Sequence, residues 1–218
     1  MRTSRRRARA TSPTASSSSA LSDQRLDRWL AALLATSGLT AIRDKDEARA
    51  TLFGGALEAV ELLGDGPVVD VGSGGGSPGI PLAAVRPELD FVLLESNGRK
   101  CDFLRKVAAE FENVSVVCER AEEHAAGEGR DAYGTAIARA LAAPPVAAEW
   151  CLPLVRPGGR AVLFVGPSAD LEAVSKAAGE LAAEIEESPS GLVLLRKTGP
   201  TPERFPRRPG VAKKRPLA

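Results

Sequence analysis

The hydrophobic and polar positions of this chain follow two different periods. From Ser22-Asp23 onward, Leu26, Trp29, Leu30, Leu33 and Leu34 recur at three- and four-residue spacing, which predicts an amphipathic helix ending at Ser37-Gly38. Asp44, with Glu47 three residues on, forms a capping-box pair that starts a second helix. Leu52, Phe53, Leu57, Val60 and Leu63 are its inward set, and Gly64-Asp65-Gly66 ends it. Beyond that point the period changes. The segments 67–71, 91–95, 114–118, 134–138 and 161–165 read as strands, and 91–95, continuous in apolar residues, as one buried on both faces. Helical patterns lie between them: one running to Val85, one over 99–112 with Phe103, Leu104, Val107 and Phe111 on a single stripe, one over 146–154 and one over 169–184. Two last strands close on Pro189-Ser190-Gly191 as a hairpin. Strands alternating with helices predict a doubly wound, seven-stranded α/β sheet with right-handed crossovers, the hairpin adding an antiparallel strand at one edge.

Composition adds limits. A chain of 218 residues, 44% hydrophobic, has room for one α/β domain and a helical appendage. No apolar run reaches transmembrane length, so no membrane partner is expected. The formal charge of +1 hides a segregation. Residues 1–22 hold five arginines and no acid, and residues 196–218 hold eight bases against Glu203 alone, while the body between holds 27 of the 28 acids and 16 of the 29 bases. An acidic body with two basic ends fits contact with a polyanion through those ends, and fits solvated tails equally well. The expected organisation is a disordered basic extension over 1–22, a helical appendage over 23–64, the α/β domain over 65–198 and a basic tail over 199–218. An organelle transit peptide is the lesser reading of 1–22, which lacks a secretory apolar core. Cys101, Cys118 and Cys151 are odd in number, far apart and without metal-ligand spacing. They read as buried, reduced side chains of a cytoplasmic protein with no metal. A monomer is expected.

Candidate chemistry gathers around Asp70-Val71-Gly72-Ser73-Gly74-Gly75-Gly76-Ser77-Pro78-Gly79, a strand end, a tight loop and a helix start. Glycines admit positive φ and close approach of a ligand, and the first N–H groups of the helix open toward the loop. Gly74-x-Gly76-x-x-Gly79 matches a dinucleotide fingerprint. Asp70, however, would repel a pyrophosphate and favour a cation such as the ammonium of a methionine moiety. Glu95, at the end of the second strand, is acceptor-only when ionised and suits the two hydroxyls of a ribose. Ala121-Glu122, past the third strand, can border an adenine edge, and Arg139 ends the fourth. All stand at the carboxyl ends of parallel strands, where such sheets take ligands. The set fits S-adenosylmethionine better than NAD. Each residue also has a plain reading. Asp70 is then a turn former, Glu95 a solvated strand end, Glu122 and Glu123 helix-start charges, and Arg139 the partner of some acid. His124, the only histidine, reads as a surface residue.

With these residues in place the chain resembles the glucose-inhibited-division-B family, the guanine-N7 methyltransferases of small-subunit ribosomal RNA. The matching stretches are Leu39-Thr40-Ala41-Ile42-Arg43-Asp44, the segment from Asp70 to Leu82, Leu93-Leu94-Glu95, Arg99-Lys100, Arg120-Ala121-Glu122-Glu123, Ala138-Arg139-Ala140, and the tail from Pro206-Arg207-Arg208-Pro209-Gly210 through Lys213 to Leu217. The resemblance implies a class I, Rossmann-like methyltransferase fold using S-adenosylmethionine. It implies cofactor contacts at Gly72, Ser77, Ala121, Glu122 and Arg139, beside Asp70, Gly74 and Glu95 from the loop reading. It implies RNA contacts from Arg99, Lys100, Arg207, Arg208, Lys213 and Lys214, with ribosomal RNA or the small subunit as partner. No catalytic side chain is singled out, because guanine N7 already carries a free lone pair. The chain departs from the family pattern at Thr51-Leu52 and Gly55-Ala56, where the family has Arg-His and Asp-Ser, at Ser77, and at Val165-Gly166, where it has Lys-Gly. Other readings are a cofactor- and RNA-binding relative without catalysis, a methyltransferase of changed substrate and, last, an NAD(P) oxidoreductase.

Overall fold

The computed structural model describes residues 24–218; the expectation of disorder for 1–22 lies outside the described residues. Helix α1 (Gln24–Ala35) buries Leu26, Trp29, Leu30 and Leu33, the expected stripe. Asp44 caps α2 (Lys45–Ala48), its carboxylate accepting the Glu47 N–H at 2.8 Å. The expected second helix does not run on regularly. It widens into a π-helical turn (Arg49–Gly54), resumes as α3 (Gly55–Leu57) and ends in a 3-10 turn (Val60–Leu62). The glycines at 54 and 55 weaken a regular helix here. Two carbonyls of the wide turn accept from outside it: Thr51 from Arg139 at 3.0 Å and Leu52 from the Ser77 hydroxyl at 2.5 Å.

The sheet comprises β1 (Val68–Val71), β2 (Phe91–Leu94), β3 (Val114–Val117), β4 (Tyr133–Arg139), β5 (Val155–Phe164), β6 (Ala183–Glu186) and β7 (Leu192–Lys197), in the order β3-β2-β1-β4-β5-β7-β6. The first five run parallel, and β7 runs antiparallel to both β5 and β6. The reversed strand therefore lies one place in from the edge, a correction to the sequence reading. Leu192-Val193-Leu194-Leu195 is buried on both faces and belongs inside the sheet, whereas β6 alternates Ala, Glu, Ile, Glu and tolerates an open edge. The helix expected to reach 184 stops earlier. The helix Leu171–Glu180 gives way at Leu181, and Ala182 turns the chain at a φ of 53° into β6.

The crossover helices are α4 (Gly79–Val85), α5 (Gly98–Ala108), α6 (Ala121–Ala126), α7 (Pro144–Cys151) and α8 (Leu171–Glu180); a short α9 (Val211–Lys214) lies in the tail. On one face of the sheet Val69, Val71, Leu152, Val155, Leu163, Val174 and Leu195 form a single cluster. On the other, Leu26, Trp29, Leu30 and Leu33 of α1 share a cluster with Ile80, Leu93 and Leu104. The N-terminal helix thus completes the core beside the glycine loop. The Trp29 indole N–H donates to the Gly75 carbonyl at 2.8 Å.

Two other expectations are corrected. Cys101 and Cys118 are joined by a disulfide, with Cα atoms 5.9 Å apart, and Cys151 is a buried free thiol. The crossover from β2 through α5 to β3 brings the first turn of α5 beside the end of β3 across 17 residues of sequence, which linear spacing does not reveal. His124 is not a surface residue. It is 8% exposed, with Nε2 2.7 Å from the Tyr133 hydroxyl and Nδ1 3.2 Å from Glu119. Among the described residues no helix is long and apolar enough to cross a membrane.

Candidate functional site

Strand order reverses between β1 and β4, and beyond the carboxyl ends of β1, β2 and β3 lies an open cleft. Its lining is Val71, Gly72, Leu94, Ser96, Glu119, Arg120, Ala121, Glu122, Leu141 and Trp150. Gly72 suits this position chiefly by its backbone conformation. Its φ is +71°, and a Cβ on it would meet Leu141 Cδ1 at 2.3 Å. Of the residues expected to bind a cofactor, Gly72, Ala121 and Glu122 line this cleft.

Glu95 stands at its edge, 7% exposed. Its Oε2 accepts the Gly74 N–H at 3.0 Å and its Oε1 the Asn97 N–H at 2.8 Å, tying the glycine loop to the end of β2. A carboxylate has about four acceptor positions, so these two bonds leave capacity for further donors. Asn97 caps α5 through the Arg99 and Lys100 N–H groups, which sets Arg99 exposed and Lys100 half-buried on the rim.

Asp70 does not point into the cleft. It is 1% exposed, and its Oδ2 accepts the Gly79 N–H at 3.0 Å, at the head of α4. Burial pushes its pKa up to about 7, opposed by the Gly79 hydrogen bond and the Arg139 charge. Its action on a ligand is therefore through the field and through the shape of the loop, not through contact. A Cβ at Gly79 would lie 2.7 Å from that same carboxylate oxygen, so the buried acid leaves no room for a side chain at 79.

Arg139 and Ser77 sit together on the other side of the loop. Arg139 Nη2 donates to the Ser77 hydroxyl, Nη1 donates to Thr51 O at 3.0 Å, and the guanidinium carbon lies 5.8 Å from the centroid of the Phe164 ring. Burial lowers the Arg139 pKa and Asp70 opposes the shift. The departures from the family pattern converge here. Thr51 and Ser77 bond Arg139 directly, a Cβ at Gly55 would lie 3.9 Å from Nη1, and Val165 follows Phe164.

Sequence reasoning missed Leu141, Ser96 and Trp150. Ser96 directly follows Glu95 at the end of β2, whereas Leu141 lies in the connection from β4 to α7 and Trp150 on α7 itself, and no local motif marks those two. The buried Trp150 indole nitrogen lacks a hydrogen-bond partner among the described residues. Apolar walls from Val71, Leu94, Leu141 and Trp150, with an acceptor-only acid at the edge, match a nucleoside: a flat purine between apolar side chains and a diol at a carboxylate. The residues present fit S-adenosylmethionine. Among the described residues no cluster of three or more His, Cys, Asp or Glu side chains is arranged to hold a metal.

Of the residues expected to meet RNA, Arg208, Lys213 and Lys214 are exposed. Arg207 is engaged instead. Its Nε and Nη2 bind the two carboxylate oxygens of Glu149 at 2.6 and 2.5 Å, and Glu149 is 4% exposed.

Comparison with known proteins places the chain among methyltransferases. Residues 23–190 match the family described as rRNA small subunit methyltransferase G. Ribosomal RNA small subunit methyltransferase G of Rubrobacter xylanophilus is 45% identical over 174 residues, covering 72% of this chain and 67% of that protein. The protein of the same name from a Thermotoga species is 37% identical over 211 residues, covering 89% and 91%. Among solved structures, precorrin-6y C5,15-methyltransferase from Geobacter metallireducens superposes with a TM-score of 0.50 at 18% identity, covering 73% of this chain and 90% of that one. The last likeness is one of fold alone.

Proposed function

This chain belongs to the rRNA small subunit methyltransferase G family, and on that premise we propose that it transfers the methyl group of S-adenosylmethionine to N7 of a guanine in small-subunit ribosomal RNA. The observation that carries the reading is the cleft at the switch point, where Gly72, Glu95, Ala121 and Glu122 converge from three strand ends beside a loop held by Asp70 and Arg139.

S-adenosylmethionine supplies an electrophilic methyl on a cationic sulfonium. The chain's own residues hold and orient. Gly72 and Gly74 let the backbone approach closely. Glu95 accepts the ribose hydroxyls, and Ala121 and Glu122 border the purine. Asp70 and Glu95 supply negative potential toward the cationic end. Arg139, joined to Ser77 and to the wide helical turn, fixes the loop against the N-terminal helices. Guanine N7 needs no general base, so the barrier is lowered chiefly by alignment of nitrogen, methyl carbon and sulfur. Arg99, Lys100, Arg208, Lys213 and Lys214 form a basic rim that neutralises phosphates and makes RNA affinity depend on salt. The protein works as a monomer in the cytoplasm on ribosomal RNA or the assembled subunit.

A second reading is favoured by one observation, the loss of polar side chains around Arg139 at Leu52, Gly55 and Val165. It is a relative that binds cofactor and RNA without transfer. The cofactor half of both readings is tested by calorimetry. S-adenosylmethionine is expected to bind one site, with NADH giving no heat. Tight NADH binding with no S-adenosylmethionine binding would overturn the assignment.

A further inference from the structure

The sequence reads residues 199–218 as a basic tail, yet the fold straps them to the body. Lys197, fully buried at the end of β7, donates to Leu152 O at 2.7 Å and to the Thr201 hydroxyl at 2.6 Å. Arg130 holds the next stretch, donating to Phe205 O at 2.6 Å and Thr201 O at 2.7 Å, and the Phe205 ring is in the core. Arg207 then clamps the remainder at both ends. It binds both oxygens of Glu149 on α7, and its Nη2 also donates to Arg215 O at 2.8 Å, past the end of α9. The segment between, 207–215, is closed into a loop against α7. Within it the Gly210 N–H donates to Glu122 Oε1 at 2.9 Å.

We infer that this C-terminal strap is a positioning element of the cofactor pocket, with Arg207 the positioning residue that holds it. Glu122 lines the cleft and is turned toward the strap by the Gly210 N–H. Glu149 precedes Trp150, which lines the opposite part of the same cleft. Two walls of the pocket are thereby set by a segment that Arg207 pins. Arg207 acts on the cofactor side of the reaction, while its neighbours Arg208, Lys213 and Lys214, exposed on the outer face, are the ones free to meet phosphate. The inference rests on the proposed S-adenosylmethionine site.

Calorimetric titration of S-adenosylmethionine, steady-state kinetics and RNA binding across a salt series test it on the full chain. Arg207→Ala is expected to weaken S-adenosylmethionine roughly tenfold, the scale of one charge-assisted hydrogen bond. The effect should appear in KM for the cofactor with kcat held at saturation, and Arg207→Lys should recover part of it. The salt slope of RNA binding should stay as in the wild type. Lys213→Ala with Lys214→Ala should do the reverse, lowering the slope by about one per lysine and leaving cofactor affinity alone. Should Arg207→Ala fold poorly, Gly210→Pro serves. It removes the N–H and cannot adopt the φ of +80° found there, and it too should weaken the cofactor. Unchanged cofactor affinity in both variants, or an RNA slope reduced by Arg207→Ala, would overturn the strap while leaving the site assignment intact. A wild type that binds no S-adenosylmethionine would overturn both.

Discussion

Asp70 is the residue whose chemistry most constrains the site. Its pKa in the fold is about 7 against an ordinary 3.8, with burial the leading cause. The native state therefore holds a proton that the unfolded chain has released at neutral pH. Stability from this group is full below about pH 4 and is lost as pH rises through about 7. Denaturant midpoints taken at about pH 5 and about pH 8 should fall for the wild type and stay level for Asp70→Asn, whose amide oxygen can still accept the Gly79 N–H. A cationic cofactor favours the ionised carboxylate, so its binding releases a proton, tightening as pH rises toward about 7 and levelling off above it. Calorimetry across that range should show the tightening in the wild type and a flat profile in Asp70→Asn. A flat wild-type profile would remove Asp70 from the electrostatics of the site.

At the scale of elements, the glycine loop is shaped by a helix more than 40 residues upstream. Trp29 of α1 bonds Gly75 O, and a Cβ on Gly75 would meet Leu33 Cδ1 at 2.4 Å. Trp29→Phe keeps most of the packing and removes the donor. It should cost about 1–2 kcal/mol, seen as a lowered Tm, and should also weaken S-adenosylmethionine, because the orphaned carbonyl lets the loop move. Stability lost without any change in cofactor binding would make α1 a mere prop. The same elements show what the sequence could tell. The loop, the strand ends at Glu95 and Arg139 and the stripe of α1 are local patterns of period or composition, and they are legible. The Asp70 carboxylate turning to Gly79, the enclosure of His124 by Tyr133 and Glu119, the Cys101–Cys118 bond and the Arg207–Glu149 pair are not. Each depends on where a crossover or the tail returns, and no window of sequence holds both partners. The inner place of β7 was legible only in part. The hairpin reads as adding an antiparallel strand at one edge, and a hairpin signal does not say which of its arms faces the sheet.

For the whole molecule the charge is segregated: an acidic body builds the cleft, and residues 196–218 hold eight bases against Glu203 alone, with Arg208, Lys213 and Lys214 exposed. The resemblance implies polar side chains at positions where this chain has Leu52, Gly55 and Val165. Binding of the cofactor and transfer of its methyl group are therefore measured separately, and transfer is what the proposed function turns on. The most direct test incubates the purified protein with methyl-labelled S-adenosylmethionine and small-subunit RNA or subunits lacking the modification, then digests the RNA and identifies the labelled nucleoside. Label is expected in N7-methylguanine at a stoichiometry approaching one per RNA. Cofactor binding by calorimetry on the same sample, with no label in either RNA or subunits, would contradict the proposed transfer.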